Sequence, residues 1–191
     1  MAILIRAPFR ARAAALLALC LMALPAASAR AEQRTATAED DIKATFLFNF
    51  TKFVEWPAGT ATAEGFRLCT VAEPGFNNAL DRTLTGETAN GLPIVRLTPA
   101  TPDAARSCDI LFLGRLENER ADRWISAVRG APVLVVGESP AAADRGAHIN
   151  FVVDDNRVQF DVNTEAARRA GLIISSKLLR VARNVTPRSG A

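Results

Sequence analysis

The chain has 191 residues, of which 49% are hydrophobic in type, with 23 Lys and Arg against 20 Asp and Glu. A chain of that length predicts one domain with a substantial core. The first 29 residues hold three arginines and no acid, so the remainder has 23 − 3 = 20 basic residues against 20 acidic ones. Such a balanced chain has no net basic charge of the kind that marks proteins binding nucleic acid or an anionic membrane, which argues against those two classes.

Residues 1–29 have the pattern of a secretory signal. They begin with a positively charged stretch, continue with the apolar residues 13–24 and end at the small-residue site Ala27-Ser28-Ala29. The apolar run has about 12 residues, whereas a membrane-spanning helix needs about 20. We therefore expect cleavage after Ala29 and export, with no membrane insertion after the signal is removed. Cys20 would be removed with it.

The mature chain is predicted to contain one folded domain at residues 39–185. The small and polar residues 30–38 predict a disordered leader in front of it. Residues 186–191 predict a disordered tail behind it.

The first predicted element of the domain is a helix within residues 39–57. Asp40 and Asp41 suit the positive end of the helix dipole, and Pro57 prevents the helix from continuing. Helical spacing gives one apolar stripe, formed by Ile42, Phe46, Phe50 and Phe53.

Two aromatic residues of this segment lie outside the stripe. Phe48 points nearly the opposite way, and Trp56 stands at the end of the segment. Aromatic residues at helical spacing usually serve core packing, so one interpretation is a helix buried on more than one side. The other interpretation is that Phe48 or Trp56 stays exposed and contacts a partner protein.

Two cysteines remain after the signal, Cys69 and Cys108. An even number of cysteines in an oxidising compartment favours a disulfide. Closing a loop of 108 − 69 = 39 residues would stabilise the fold by about 3–4 kcal/mol in the chain-entropy model. Free thiols or a metal pair are the alternatives, although the only histidine is His148 and the chain has no Cys-x-x-Cys motif.

Apolar runs and turn residues divide the rest of the chain into alternating strands and helices. Strands are predicted at 66–72, 93–97, 109–113 and 131–136, followed by the alternating pair 149–153 and 158–162 with a hairpin turn between them. Helices are predicted at 77–84, 117–128, 164–170 and 177–184. This order predicts a single α/β domain with a largely parallel sheet flanked by helices and an antiparallel edge hairpin.

Polar residues follow the predicted parallel strands. Open α/β sheets bind ligands at the carboxyl ends of their strands, and the candidate pocket residues there are Glu73, Arg115, Glu138 and Ser139. Arg115 is suited to a carboxylate and Glu138 to an amine. The alternative interpretation is that all four are solvated loop residues.

The chain lacks the motifs of an enzyme. Ser139 stands in Gly-Glu-Ser-Pro rather than in a Gly-x-Ser-x-Gly elbow, and we expect Pro140 to keep a helix from starting normally behind it. A catalytic triad would have to use His148, which we interpret as a structural or surface residue. The sequence contains no phosphate-binding glycine loop and no His and carboxylate cluster, so we predict no catalytic residue, metal or cofactor.

Four segments of the chain resemble the YfiR family of small periplasmic regulators. The first and last are the most specific, and together they cover nearly all of the predicted mature chain. They are residues 42–57, 133–140, 145–151 and 166–180.

The resemblance implies a non-enzymatic periplasmic α/β protein, with a homodimer as the expected assembly. The best-known member represses a membrane-bound diguanylate cyclase by binding its periplasmic sensor region, which lowers cyclic-di-GMP and biofilm output. Some relatives are expected to act on histidine kinases instead. Cys69 and Cys108 match a cysteine pair of the family, in which oxidation modulates the protein.

This chain departs from the family pattern at three places. It lacks the second cysteine pair that some members carry in the C-terminal half, so a switch with two disulfides does not carry over. The loop after Pro140 has alanines where relatives often have an aromatic residue. His148 stands where an apolar residue usually follows two glycines.

Overall fold

The computed structural model describes residues 24–60, 65–115, 118–155 and 157–186. The chain divides into two compact units, Met1–Ala38 and Glu39–Ala191. In the first unit the described residues are helical, and every strand that the structure describes lies in the second unit. Most of the predicted signal and residues 187–191 of the predicted tail lie outside the described residues. Within the described ranges, no helix has the length and apolar character needed to cross a bilayer.

Helices and strands alternate along the described chain. The helices are α1 (Leu24–Phe53), α2 (Pro74–Leu84), a 3-10 helix (Asp103–Ser107), α3 (Asn118–Ala127), α4 (Pro140–Asp144), α5 (Thr164–Arg169) and α6 (Ser176–Leu179). The strands are β1 (Val54–Glu55), β2 (Phe66–Val71), β3 (Thr88–Ala89), β4 (Leu92–Leu97), β5 (Ile110–Leu113), β6 (Leu134–Gly137), β7 (Ile149–Asp154), β8 (Arg157–Asn163), β9 (Ile173–Ile174) and β10 (Asn184–Thr186).

An eight-stranded sheet in the order β10-β8-β7-β6-β5-β2-β4-β3 organises the second unit. Its central strands β4, β2, β5, β6 and β7 pair in parallel, whereas β7 with β8 and β3 with β4 pair antiparallel. A separate antiparallel pair joins β1 to β9. The predicted α/β class with a largely parallel sheet and an antiparallel hairpin is confirmed, and β10 adds one parallel strand outside the hairpin.

The strand β5 separates two apolar cores. Alternate side chains of a strand point to opposite faces of the sheet. Ile110 and Phe112 pack in the core that contains residues of α1 and α2. Leu111 and Leu113 pack on the other side, with residues of α3 and the disulfide. The sheet is therefore covered on both faces, as its continuous apolar strands predicted.

The buried face of α1 is shifted from the predicted stripe and is wider than it. Ile42 is 42% exposed, and Phe46 and Phe53 are only partly buried. The buried side chains of the helix form a wider face, and they are Lys43, Ala44, Leu47, Phe48, Phe50 and Thr51, followed by Val54 in β1. The prediction counted apolar residues only, so it missed Lys43, which is a charged residue on the buried face.

The ends of several elements also correct the prediction. The helix α1 begins before Asp40 and includes residues 30–38, for which we expected a disordered leader. The strand β6 begins at Leu134 rather than 131, because the Val133 amide donates to the Ala131 carbonyl in a turn. The last helix is only Ser176–Leu179, and Asn184–Thr186 pairs with β8 as β10, so residue 186 belongs to a strand rather than to a tail.

Candidate functional site

Lys43 lies at the centre of a buried ion-pair cluster. Its side chain is 2% exposed, and its Nζ donates to Glu39 Oε1 at 2.5 Å and to Glu138 Oε2 at 2.6 Å. Glu39 is one helical turn earlier on α1, whereas Glu138 directly follows β6. A buried ammonium group requires opposite charges next to it. The contact therefore links α1 to the carboxyl end of the sheet.

Arg115, which follows β5, joins the cluster from the solvent side. Its Nη2 lies 2.8 Å from Glu39 Oε1, and its Nε lies 3.9 Å from Glu138 Oε1, while the side chain is 70% exposed. The structure thus brings together two of the four predicted pocket residues, Arg115 and Glu138. They meet because their strands are parallel neighbours and end at the same edge.

Asp40 adds a third carboxyl group near this cluster. Burial raises the pKa of the Asp40 carboxyl above its ordinary value of 3.8, the charge of Lys43 opposes that rise, and the charges of Glu138 and Glu39 add to it. Three carboxyl groups therefore face two cations, Lys43 and Arg115. The arrangement favours an additional cation or hydrogen-bond donor over an anion.

A cavity of about 480 Å³ opens beside this cluster, and we call it the strand-end cavity. Lys43, Arg115 and Glu138 line one part of it. The ion pair of Arg183 with Asp161 lines another part, with 2.5 Å between Nη2 and Oδ2. The volume lies within the range of about 300–1,000 Å³ that is typical of small-molecule sites.

Asn150 presents an unused acceptor at the strand-end cavity. The side chain is 5% exposed, and its Nδ2 donates to the Phe151 carbonyl at 3.2 Å. Its Oδ1 is buried and has no hydrogen-bond partner among the described residues. A Cβ at Gly137 would stand 3.0 Å from that oxygen and would collide with the Cβ of Ala142, so glycine leaves the needed space. A buried amide oxygen of this kind calls for a donor from a ligand or a water.

The other two predicted pocket residues, Ser139 and Glu73, are not among the residues that line the strand-end cavity. The Ser139 hydroxyl accepts from the Ala142 amide at 3.2 Å and so caps α4. The helix begins at Pro140, so our expectation that this proline would hinder a helix is wrong, because proline suits the first helical position. Glu73 precedes α2 and does not line the strand-end cavity.

The two aromatic residues considered for partner binding are packed. Phe48 is only 8% exposed, and Lys52 Nζ lies 3.9 Å from the centre of its ring. Trp56 is partly buried, meets the Phe66 ring at 5.1 Å between centroids and donates from Nε1 to the Asp109 carbonyl at 3.0 Å. For Phe48 the structure supports the interpretation of a packed helix and not the alternative of an exposed docking residue. A contact of Trp56 with a partner stays a prediction.

Cys69 and Cys108 form a disulfide, which confirms the predicted pair. Their Cα atoms lie 5.9 Å apart, and both residues are buried. Cys69 lies in β2, and Cys108 directly precedes the neighbouring strand β5. Next to it, Asp109 Oδ2 accepts from the Arg67 amide at 2.7 Å, which fixes the start of β5 against β2. Among the described residues, no group of three or more His, Cys, Asp and Glu is arranged to hold a metal ion.

His148 is a buried residue at the start of β7. It is 7% exposed, and its Nδ1 accepts from the Val135 amide at 3.0 Å. Burial, together with the charge of Arg169, lowers the pKa of its imidazole from 6.5 to about 4. The group is therefore neutral at pH 7. It belongs to the other end of the strands and does not contact the Lys43 cluster.

Sequence reasoning missed Lys43, Glu39 and Asn150. A lysine among aromatic residues of a helix is normally assigned to a solvated face, yet Glu39 and Lys43 stand four residues apart, a spacing that supports an ion pair. Asn150 interrupts the apolar pattern of β7 between Ile149 and Phe151. A polar residue inside a buried strand was the signal available there.

Comparisons with known proteins address family and fold. The family described as YfiR/HmsC-like matches residues 40–183. A conserved domain protein from Vibrio cholerae O1 biovar El Tor has a structure with a TM-score of 0.50 and 16% identity, and the match covers 63% of this chain and 55% of that one. The ABC domain from Streptococcus pneumoniae in complex with L-Trp has a TM-score of 0.47 and 11% identity, with 66% and 57% covered. This chain spans little more than half of either structure, and the first likeness concerns the fold alone.

Proposed function

The chain belongs to the YfiR/HmsC-like family of periplasmic regulators, and we propose that it represses a membrane-bound diguanylate cyclase by binding the periplasmic sensor region of that enzyme. Repression would lower cyclic-di-GMP and limit biofilm formation. The observation that carries the proposal is the family match, which spans almost the whole second unit. In this proposal the protein performs no chemical step, and export depends on residues 1–29 as a cleaved signal.

The mechanism follows from conformational equilibrium. A sensor with an active and an inactive state shifts toward the state that the regulator binds more tightly. The shift cannot exceed the difference in binding free energy between the two states. Moving the populations of inactive and active sensor from 1:99 to 99:1 needs affinities for the two states that differ by a factor of about 10⁴. A rigid regulator serves this purpose well, because ordering it on binding costs little. The disulfide and the Lys43 ion pairs provide that rigidity by joining neighbouring elements.

Co-purification tests the partner. The tagged chain is expressed in its own host, membranes are solubilised in detergent, and retained membrane proteins are identified. We expect a protein with a periplasmic sensor region and a cytoplasmic cyclase domain. Retention of a histidine kinase in its place would favour the family's other expected target, and retention of no inner-membrane sensor would contradict the proposal. Light scattering of the purified chain checks the homodimer, which stays a prediction.

A second candidate function is a small-molecule sensor that acts on a histidine kinase or another membrane receptor. The strand-end cavity and the unpartnered Asn150 Oδ1 favour it. The excess of carboxyl groups around Lys43 favours a ligand that carries an ammonium group. Thermal shift against amines and amino acids tests it, since a ligand at 100 times its Kd stabilises by about 2.7 kcal/mol. Arg115→Gln should change the affinity without unfolding the exposed loop, and a panel without any shift would contradict this candidate.

A further inference from the structure

A second cavity, of about 570 Å³, lies at the amino ends of β6 and β7, away from the Lys43 cluster. Three arginines line it, Arg129, Arg145 and Arg169, and we call it the arginine cavity. Neither the regulatory proposal nor the strand-end cavity uses any of these residues. The cavity size lies in the range of small-molecule sites.

His148 gives the arginine cavity a defined hydrogen-bond donor. The Val135 amide donates to Nδ1, so the proton of the neutral imidazole is at Nε2. Among the described residues, no acceptor is bonded to that Nε2, although the side chain is more than nine-tenths buried and lines the cavity. This N–H keeps some accessibility at the wall of the cavity, where a ligand or a water can accept from it.

The charges around the arginine cavity are positive in sum. Arg145 Nε lies 3.4 Å from Asp122 Oδ1, and Arg169 Nη1 lies 2.6 Å from Glu165 Oε1. Arg129 has no acidic partner within the described part of the chain. Three arginines thus line the cavity, whereas the two carboxylates that pair with them are about half exposed and are not among its lining residues. An anion would complete this balance, and a neutral or cationic ligand would not.

The remaining wall is apolar. Ile125, Val128, Val135 and Ala166 line the cavity, and each of them is at most 6% exposed overall. An inorganic anion would leave this wall uncovered. A ligand with an apolar body and one anionic group would bury carbon against the wall and direct its charge to the arginines.

We propose that the arginine cavity binds a small organic carboxylate, whose carboxylate group accepts from His148 Nε2–H and pairs with the guanidinium of Arg169. Its apolar body packs between α3 and α5. Guanidinium groups bind carboxylates through paired N–H donors, which supplies the specificity for this group. The site is independent of the proposed repression of a cyclase.

The single histidine of the chain makes the test direct. The exported chain is purified without a histidine tag, and the imidazole C2-proton resonance of His148 is followed by NMR at pH 7 during titration with benzoate. We expect a saturable shift of this resonance. Benzamide, which has the same ring without the charge, should bind at least tenfold more weakly, and inorganic phosphate should also bind more weakly.

Variants locate the site. Arg169→Gln should weaken benzoate binding about tenfold, whereas Arg180→Gln, an exposed arginine outside the cavity, should leave it unchanged. Benzoate that causes no shift at millimolar concentration would overturn the proposal, and so would equal binding of benzamide. Equal affinities of the two variants would overturn it as well. The titration of the unaltered chain decides the matter if Arg169→Gln does not fold.

Discussion

Lys43 Nζ lies 2.6 Å from Glu138 Oε2, across 95 residues of sequence, and this contact joins α1 to the end of β6. The lysine is 2% exposed and the glutamate 12%. Removing one partner of such a pair leaves the other charge without compensation in a region with little water. The pair therefore holds the part of α1 from Glu39 onward in place on the sheet.

Lys43→Met is expected to lower the free energy of unfolding by about 3–5 kcal/mol. The substitution leaves Glu39 and Glu138 with only the exposed Arg115 as a partner. Adding Glu138→Gln to this variant should recover part of the loss, because one of the uncompensated carboxylates is then neutral. Urea unfolding measures the loss in the single variant and the recovery in the double variant. Lys52→Met on the same helix is the matched control, and a similar loss in both single variants would contradict a special role of Lys43.

The disulfide should supply about 3–4 kcal/mol of stability in the chain-entropy model. Cys69→Ser, or a reductant acting on the unaltered chain, should lower the Tm accordingly. The double variant Cys69→Ser/Cys108→Ser serves as the control, because its Tm should not respond to the reductant. If the reductant leaves the Tm of the unaltered chain unchanged while mass spectrometry shows free thiols, the disulfide has no stabilising role.

The register of α1 predicts unequal losses for two apolar residues. Phe50 is fully buried and meets the rings of Phe151 and Phe160 at 5.9 and 5.3 Å between centroids. Phe50→Ala should cost about 3–5 kcal/mol through lost contacts and a cavity. Ile42→Ala should cost less than about 1 kcal/mol, because Ile42 is 42% exposed. Denaturant midpoints compare the two, and equal losses would place Ile42 on the buried stripe.

His148 predicts a pH dependence of stability. Its folded-state pKa, about 4, lies below the ordinary value of 6.5, so between these pH values the unfolded chain binds more protons than the folded one. The contribution of neutral His148 to the free energy of unfolding is fully present above pH 6.5. It is lost as the pH falls toward 4, and the total loss is about 3 kcal/mol. His148→Gln keeps an acceptor for the Val135 amide and should remove this part of the slope. A His148 resonance that titrates near pH 6.5 in the folded chain would contradict the prediction.

Sequence patterns predicted the sheet better than the site. The continuous apolar run at β5 reflects a strand that is buried on both faces, and the alternation at β7 and β8 reflects strands that are buried on one face. Both patterns can be seen in a short stretch of sequence. β10 was missed because Asn184 to Thr186 has no apolar pattern, and its pairing with β8 is purely tertiary. Glu138 and Arg115 were found because strand ends meet at one edge. Lys43 was not found, since only the folded chain reveals which face of α1 is buried.

The central claim is that the exported protein acts by binding a membrane-bound cyclase. The most direct measurement is the cyclic-di-GMP level of the native host with and without this chain. Deletion should raise that level, and complementation with the full chain, but not with a chain lacking residues 1–29, should restore it. A level that stays the same after deletion, in cells shown to have produced the protein, would contradict the account.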